Sequence, residues 1–163
     1  MRNFFLSALL LCTIALPART SDNPNYMHEF MIAGGYSYCR NHFVDVGLRY
    51  YHFRNDGQTF LAFGGPAAGC TFSMQRQDRV IMPYVGWQGQ MLTLGYGIRG
   101  EYATNKEVSA FCVSPELGWS FFEIFRITSG YRFVLAKNDP LELQGFRFSL
   151  VAALPLSFLK EED

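Results

Sequence analysis

The sequence predicts an all-β chain: a single closed antiparallel eight-stranded up-and-down transmembrane β-barrel, following an N-terminal signal peptide. Three observations predict it. The composition is rich in aromatics and poor in charge, with 16 Phe, 9 Tyr and 2 Trp making 17% of 163 residues, 15 Gly, and only 17% charged residues. Soluble domains carry about 25% charged residues. After the first twenty or so residues there is no apolar run of the ~18 residues that a spanning helix needs. Finally, segment after segment alternates an apolar residue with a small or polar one, the period of a strand with two unlike faces. An apolar chain without a spanning helix has one membrane solution left, a barrel in which every strand is paired.

Arg2 is a short basic region, Phe4 to Leu16 is nearly all apolar, and Leu16-Pro17-Ala18 supplies a breaker and a small residue. This is the pattern of a secretory signal peptide over residues 1–18, cleaved after Ala18. The apolar run is short for a membrane anchor. Cys12 would suit a lipoprotein signal, but Leu11 precedes it where a small residue is required.

The barrel is expected over residues 27–158. Phe30, Ile32, Gly34, Tyr36 and Tyr38 form an apolar phase against Glu29, Ala33, Gly35 and Ser37. Val44, Val46, Leu48 and Tyr50 follow against Asp45, Gly47 and Arg49. From Phe60 to Met74 the apolar phase starts as Leu61 and Phe63 and resumes as Ala68, Cys70, Phe72 and Met74, one residue out of step. Gly64-Gly65-Pro66 lies between, which suits a bulge that adds one residue. Val80 to Trp87 is placed with Val85 and Trp87 outward.

Leu92, Leu94, Tyr96, Ile98 and Tyr102 alternate with Thr93, Gly95, Gly97, Arg99 and Glu101. Phe111, Val113, Leu117 and Trp119 oppose Ser114, Glu116 and Gly118. Phe125, Ile127, Ser129, Tyr131, Phe133 and Leu135 oppose Arg126, Thr128, Gly130 and Arg132. Phe146, Phe148, Leu150, Ala152 and Leu154 oppose Gly145, Arg147, Ser149 and Ala153. Asn55-Asp56-Gly57, Thr104-Asn105-Lys106 and Asn138-Asp139-Pro140 read as turns, and Gln75 to Asp78 and Gln88 to Gln90 as polar connectors. Eight strands bring both chain ends to one rim.

Two eight-stranded barrels of opposite polarity fit this count. A soluble lipocalin-like carrier has an apolar lumen and a charged exterior. Here the apolar faces are nearly free of charge, and the other faces carry Gly, Ser, Thr and isolated ions. Small residues with a few charges suit a narrow lumen that side chains fill. The lumen ionic network is expected to comprise Glu29, Asp45, Arg49, Arg99, Glu101, Glu116, Arg126, Arg132 and Arg147. These charges neutralise one another as a plug, since an unpaired buried charge is costly. A narrow small-solute channel is the alternative. Aromatic girdles are expected from Tyr50, Trp87 and Trp119 at the rim of the chain ends, near Tyr51 and Phe122. Tyr38, Phe72, Tyr102 and Phe133 form the girdle of the opposite rim.

With these alternations and girdles, the chain resembles the small eight-stranded outer-membrane β-barrel proteins of Gram-negative bacteria, over nearly all of residues 27–158. The resemblance implies export to the outer membrane and contact with membrane lipid, including lipopolysaccharide. It also implies handling by the outer-membrane assembly machinery, a monomeric state, and a structural or envelope-maintaining role. One departure stands at the carboxyl end. Such barrels often finish on an aromatic residue, whereas here Phe158 is followed by Leu159-Lys160-Glu161-Glu162-Asp163.

Chemistry is sparse. Some barrels of the resembled kind are lipid A-modifying hydrolases or acyltransferases with a Ser/His/acid set, for which Ser37, His42 and Asp45 are the candidates by strand pairing. No histidine-x-serine-asparagine stretch accompanies them, and no enzyme activity is expected. No cofactor or metal is expected either: His28, His42 and His52 show no metal-ligand spacing, and no CxxC pair occurs. Cys39, Cys70 and Cys112 are too widely spaced for a disulfide framework, with a Cys39–Cys70 bridge left open. The net charge of zero and pI near 6.8 argue against a nucleic-acid partner. The expected outer loops, Cys39 to His42, Gln75 to Arg79, Ala103 to Glu107 and Ala136 to Gln144, are short for surface binding.

Overall fold

The computed structural model describes residues 26–55, 60–75, 79–105, 107–121, 124–135 and 141–156. Eight strands follow in order: β1 (Tyr26–Cys39), β2 (Asn41–Asn55), β3 (Phe60–Ser73), β4 (Ile81–Met91), β5 (Leu94–Thr104), β6 (Ser109–Phe121), β7 (Phe125–Val134) and β8 (Gly145–Pro155). Each pairs antiparallel with the next, and β8 returns to β1 to close the barrel. Closure leaves no strand with an unpaired edge. The signal segment, the Asp56-Gly57 and Asn138-Asp139-Pro140 turns, Phe122 and Phe158 lie outside the described residues.

Alternation sets which way each side chain points. Along β8, Phe146, Phe148, Leu150 and Leu154 are exposed, while Arg147, Ser149, Val151 and Ala153 are buried. The same division holds along β1, β2, β5, β6 and β7. Along β4, Met82 and Tyr84 point inward and Val85 and Trp87 outward, as the sequence phase placed the latter two. The outward faces of the described strands are thus mainly apolar, and five arginines are buried within.

The expected bulge lies beside Gly64. His52 faces Gly64 but Phe53 faces Ala62, so β3 carries one extra residue there. Gly64 has φ of 83°, a left-handed conformation that glycine adopts without the steric cost of a Cβ. A Cβ at that position would also strike the Gln88 carbonyl of β4.

Three placements correct the sequence reading. Gln88 to Gln90 is not a connector but the interior of β4, with the Gln88 side chain buried. An amide lining a polar lumen reads in sequence like an amide in a loop. The β4–β5 turn is instead Leu92-Thr93, between the paired Met91 and Leu94, and Leu92 sits there at φ of 56°. Trp87 does not close its strand, because β4 runs on to Met91. Of the other girdle candidates, Tyr38, Phe72, Trp119 and Phe133 are exposed, and Tyr50 and Tyr102 are half-buried. Tyr51, in contrast, points inward and is buried.

Candidate functional site

The lumen is layered. Nearest the rim opposite the chain ends, Cys39, Phe43, Val80, Met82, Ala103, Cys112 and Leu143 form an apolar cluster. Leu143 reaches it from the connection before β8, and its carbonyl accepts the Cys39 thiol at 3.2 Å. These apolar side chains pack against one another at that end of the barrel.

The next layer is ionic, and Arg147 is its hub. Its Nη1 lies 2.7 Å from Glu101 Oε1 and 3.1 Å from Glu116 Oε1, and its Nη2 lies 3.2 Å from Asp45 Oδ1. Arg132 Nε donates to Glu101 Oε2 at 2.8 Å. Arg99 pairs with Asp45 at 3.3 Å and with Glu116 at 3.1 Å. Hydroxyls take up the remaining carboxylate lone pairs: Thr71 donates to Asp45, Ser114 to Glu101 and Thr128 to Glu116. Arg99 also lies over the Tyr84 ring and Arg132 over the Phe43 ring, where the ring faces attract the guanidinium charge. Three acids face three arginines, so the layer is electrically balanced. All six side chains are 5% exposed or less.

The remaining ionic candidates stand apart from this layer. Arg126 donates to Gln88 Oε1 at 3.3 Å and to the carbonyls of Gly89 and Tyr96. Neutral acceptors therefore supply part of its hold. Arg49 is buried, and its Nε has no hydrogen-bond partner among the described residues. Glu29 is half-buried opposite Tyr51, eight residues along β1 from the Ser37 hydroxyl that touches Arg147. Thr71, Ser114, Tyr84 and Gln88 were not expected in the network. Their signal was the lumen phase itself, blurred by the bulge in β3 and by the Met82-Pro83-Tyr84 stretch.

Small residues make room for this filling. Gly47 and Gly69 flank the Tyr84 hydroxyl, and a Cβ on either would collide with it. Gly95 and Gly97 lie more loosely beside Arg126, where an added Cβ would stand 3.2 and 3.7 Å from guanidinium nitrogens.

The weighed nucleophile–base arrangement does not form. Ser37 and Asp45 are buried in the lumen, whereas His42 is exposed on the outer face and bonded to the Tyr36 hydroxyl. Period two separates them, since His42 and Asp45 are an odd number of residues apart on one strand. A Cys39–Cys70 bridge is likewise absent: Cys39 faces the lumen, Cys70 shares the outward phase of Phe72, and both are free. Among the described residues, no three His, Cys, Asp or Glu side chains group as a metal cage.

No family model matches the chain, and neither a curated protein nor a solved structure matches it significantly.

Proposed function

We propose that this barrel is an exported outer-membrane protein of a Gram-negative cell, with a plugged polar lumen and a structural, envelope-maintaining role. One observation carries the reading. The polarity of the fold is inverted relative to a soluble protein, with Ile98, Leu48, Leu117 and Leu150 each more than 50% exposed and Arg99, Arg132 and Arg147 at 1% or less. An apolar surface of this extent aggregates in water but is the proper surface against hydrocarbon. Strands of 10 to 15 residues match the ~9–11 residues that cross a bilayer at a tilt.

In this reading membrane lipid, including lipopolysaccharide, covers the outer face, and the monomer reaches it through a cleaved signal peptide and the assembly machinery. The plug reading draws on the balanced ionic layer and on the apolar cluster stacked above it. Together they fill an eight-stranded bore with side chains, as that bore width favours. The role is then mechanical rather than catalytic or conductive.

Cell fractionation tests it. The protein is expected with the outer membrane, migrating faster on gels when unheated than when boiled. Recovery as a soluble periplasmic species overturns the reading and favours a carrier.

A further inference from the structure

The β1–β2 register places His28 directly opposite His52 near the chain-end rim. The sequence separates these histidines by 24 residues. Both belong to the outward phase, His28 with Phe30 and His52 with Leu48, and both are half-buried. Their Nδ1 atoms lie 3.1 Å apart, and the Tyr50 hydroxyl lies 2.6 Å from the same His28 Nδ1. The Tyr50 ring stacks beside His28 at 5.8 Å and also meets the Phe30 ring at 4.9 Å, contacts that restrict where its hydroxyl sits.

Two heteroatoms therefore converge on the His28 Nδ1, which hydrogen bonding alone serves poorly. A neutral imidazole nitrogen either donates one hydrogen bond or offers one lone pair. The His28 Nδ1 faces two neighbours and can satisfy one. A cation accepts lone pairs from all three. The spacing fits as well: two imidazole nitrogens at about 2.0–2.1 Å from one ion stand roughly 2.9–3.4 Å apart when their angle is about 90–110°.

We propose that His28, His52 and Tyr50 bind a divalent transition-metal ion on the outer face of the barrel, with copper(II) the strongest binder. The two Nδ1 atoms are the ligands, each ring carrying its proton on Nε2. The Tyr50 oxygen is a third donor, and water completes the sphere. Imidazole ligands suit copper, nickel and zinc, and affinity at such a site rises to copper in the divalent series. Calcium and magnesium prefer all-oxygen sites and are not retained. The proposal stands on the β1–β2 pairing and holds whether or not the barrel lies in a membrane.

The test is a copper(II) titration of the full-length folded protein in detergent micelles, followed by electron paramagnetic resonance. One equivalent with coupling to two nitrogens is expected. His28→Ala and His52→Ala should each weaken binding at least about tenfold, as even outer-shell changes at metal sites cost that much. His42→Ala, at the opposite rim, should leave it unchanged. Gel mobility before and after heating reports whether each variant has folded. For any variant that has not, the parent supplies the reading: zinc should protect His28 and His52, but not His42, from acylation by diethylpyrocarbonate. No binding, binding that survives either His28→Ala or His52→Ala, or equal protection of all three histidines overturns the proposal.

Discussion

Arg147 Nη1 and Glu101 Oε1 sit 2.7 Å apart across the lumen, and both side chains are fully enclosed. Neither charge has water to fall back on, so each stabilises the fold only while the other is present. Glu101 also holds Arg132, and Arg147 also holds Asp45 and Glu116, so the six groups behave as one unit. Desolvating them is expensive, and aligned contacts recover that cost only when the set is complete.

Glu101→Ala is accordingly expected to destabilise the barrel by about 3–5 kcal/mol, because it strands the buried Arg132 guanidinium and takes from Arg147 one of its three acids. The double variant Glu101→Leu/Arg132→Leu should recover part of that loss, since it removes one stranded cation along with the acid. Urea unfolding from detergent micelles or lipid vesicles measures both. A double variant as unstable as the sum of its single changes would show that the pair is not coupled.

Conductance separates a plug from a channel. Arg99, Arg126, Arg132, Arg147, Tyr51 and Phe43 are among the largest fully buried side chains, and all face the lumen. Negligible current in planar bilayers is expected from the pure protein. Steady, large single-channel currents would show an open bore and promote the small-solute channel.

Backbone conformation gives two changes of opposite sign. Gly64→Ala puts a Cβ on a residue at φ of 83° and against the Gln88 carbonyl. It should destabilise by at least about 1–2 kcal/mol, the cost of the left-handed region to a residue with a Cβ. Leu92→Gly relieves a residue at φ of 56° in the β4–β5 turn. It should be neutral or stabilise by up to about 1 kcal/mol, since glycine also gains entropy in the unfolded chain. Matched unfolding midpoints of parent and variants check both. A Gly64→Ala protein as stable as the parent would contradict the strained bulge.

Most of the fold was legible because a barrel wall repeats one alternation, large apolar residues out and mostly small or polar ones in, over strand after strand. Arg99, Glu101, Glu116, Arg132 and Arg147 could be assigned to the lumen from that phase alone. What the phase does not carry is height along the barrel or the partner across it. Arg126 lies at the level of Gln88 and Tyr96, below the acids, and no local pattern tells it from Arg132. Gln88 was misplaced because amides serve loops and polar lumens alike. His28 and His52 meet only because β1 turns back at Arg40, which has φ of 57° and carries no Gly, Pro or Asn signal of its own.

Height along the barrel decides what a charge on the outer face costs. Leu94 opens β5 beside the Leu92-Thr93 turn, so it lies at a rim and not at mid-height. Ile98 lies further along the strand, paired with Trp87 and Pro115, and is 51% exposed. If lipid covers this face, Ile98→Arg should cost about 2–4 kcal/mol, as a cation does near the bilayer midplane, and Leu94→Arg only about 0–1 kcal/mol. Gly97 faces the lumen between them, where a Cβ would lie 3.1 Å from the Trp87 carbonyl and 3.3 Å from Gln88 Cγ. Gly97→Leu should then overpack the interior at about 1–3 kcal/mol. A soluble barrel predicts another set of outcomes, with both arginines tolerated in water at no cost and no dependence on height. Urea unfolding of the three variants from lipid vesicles reads the gradient. Equal stability of Ile98→Arg and the parent would place water, not hydrocarbon, against the apolar face.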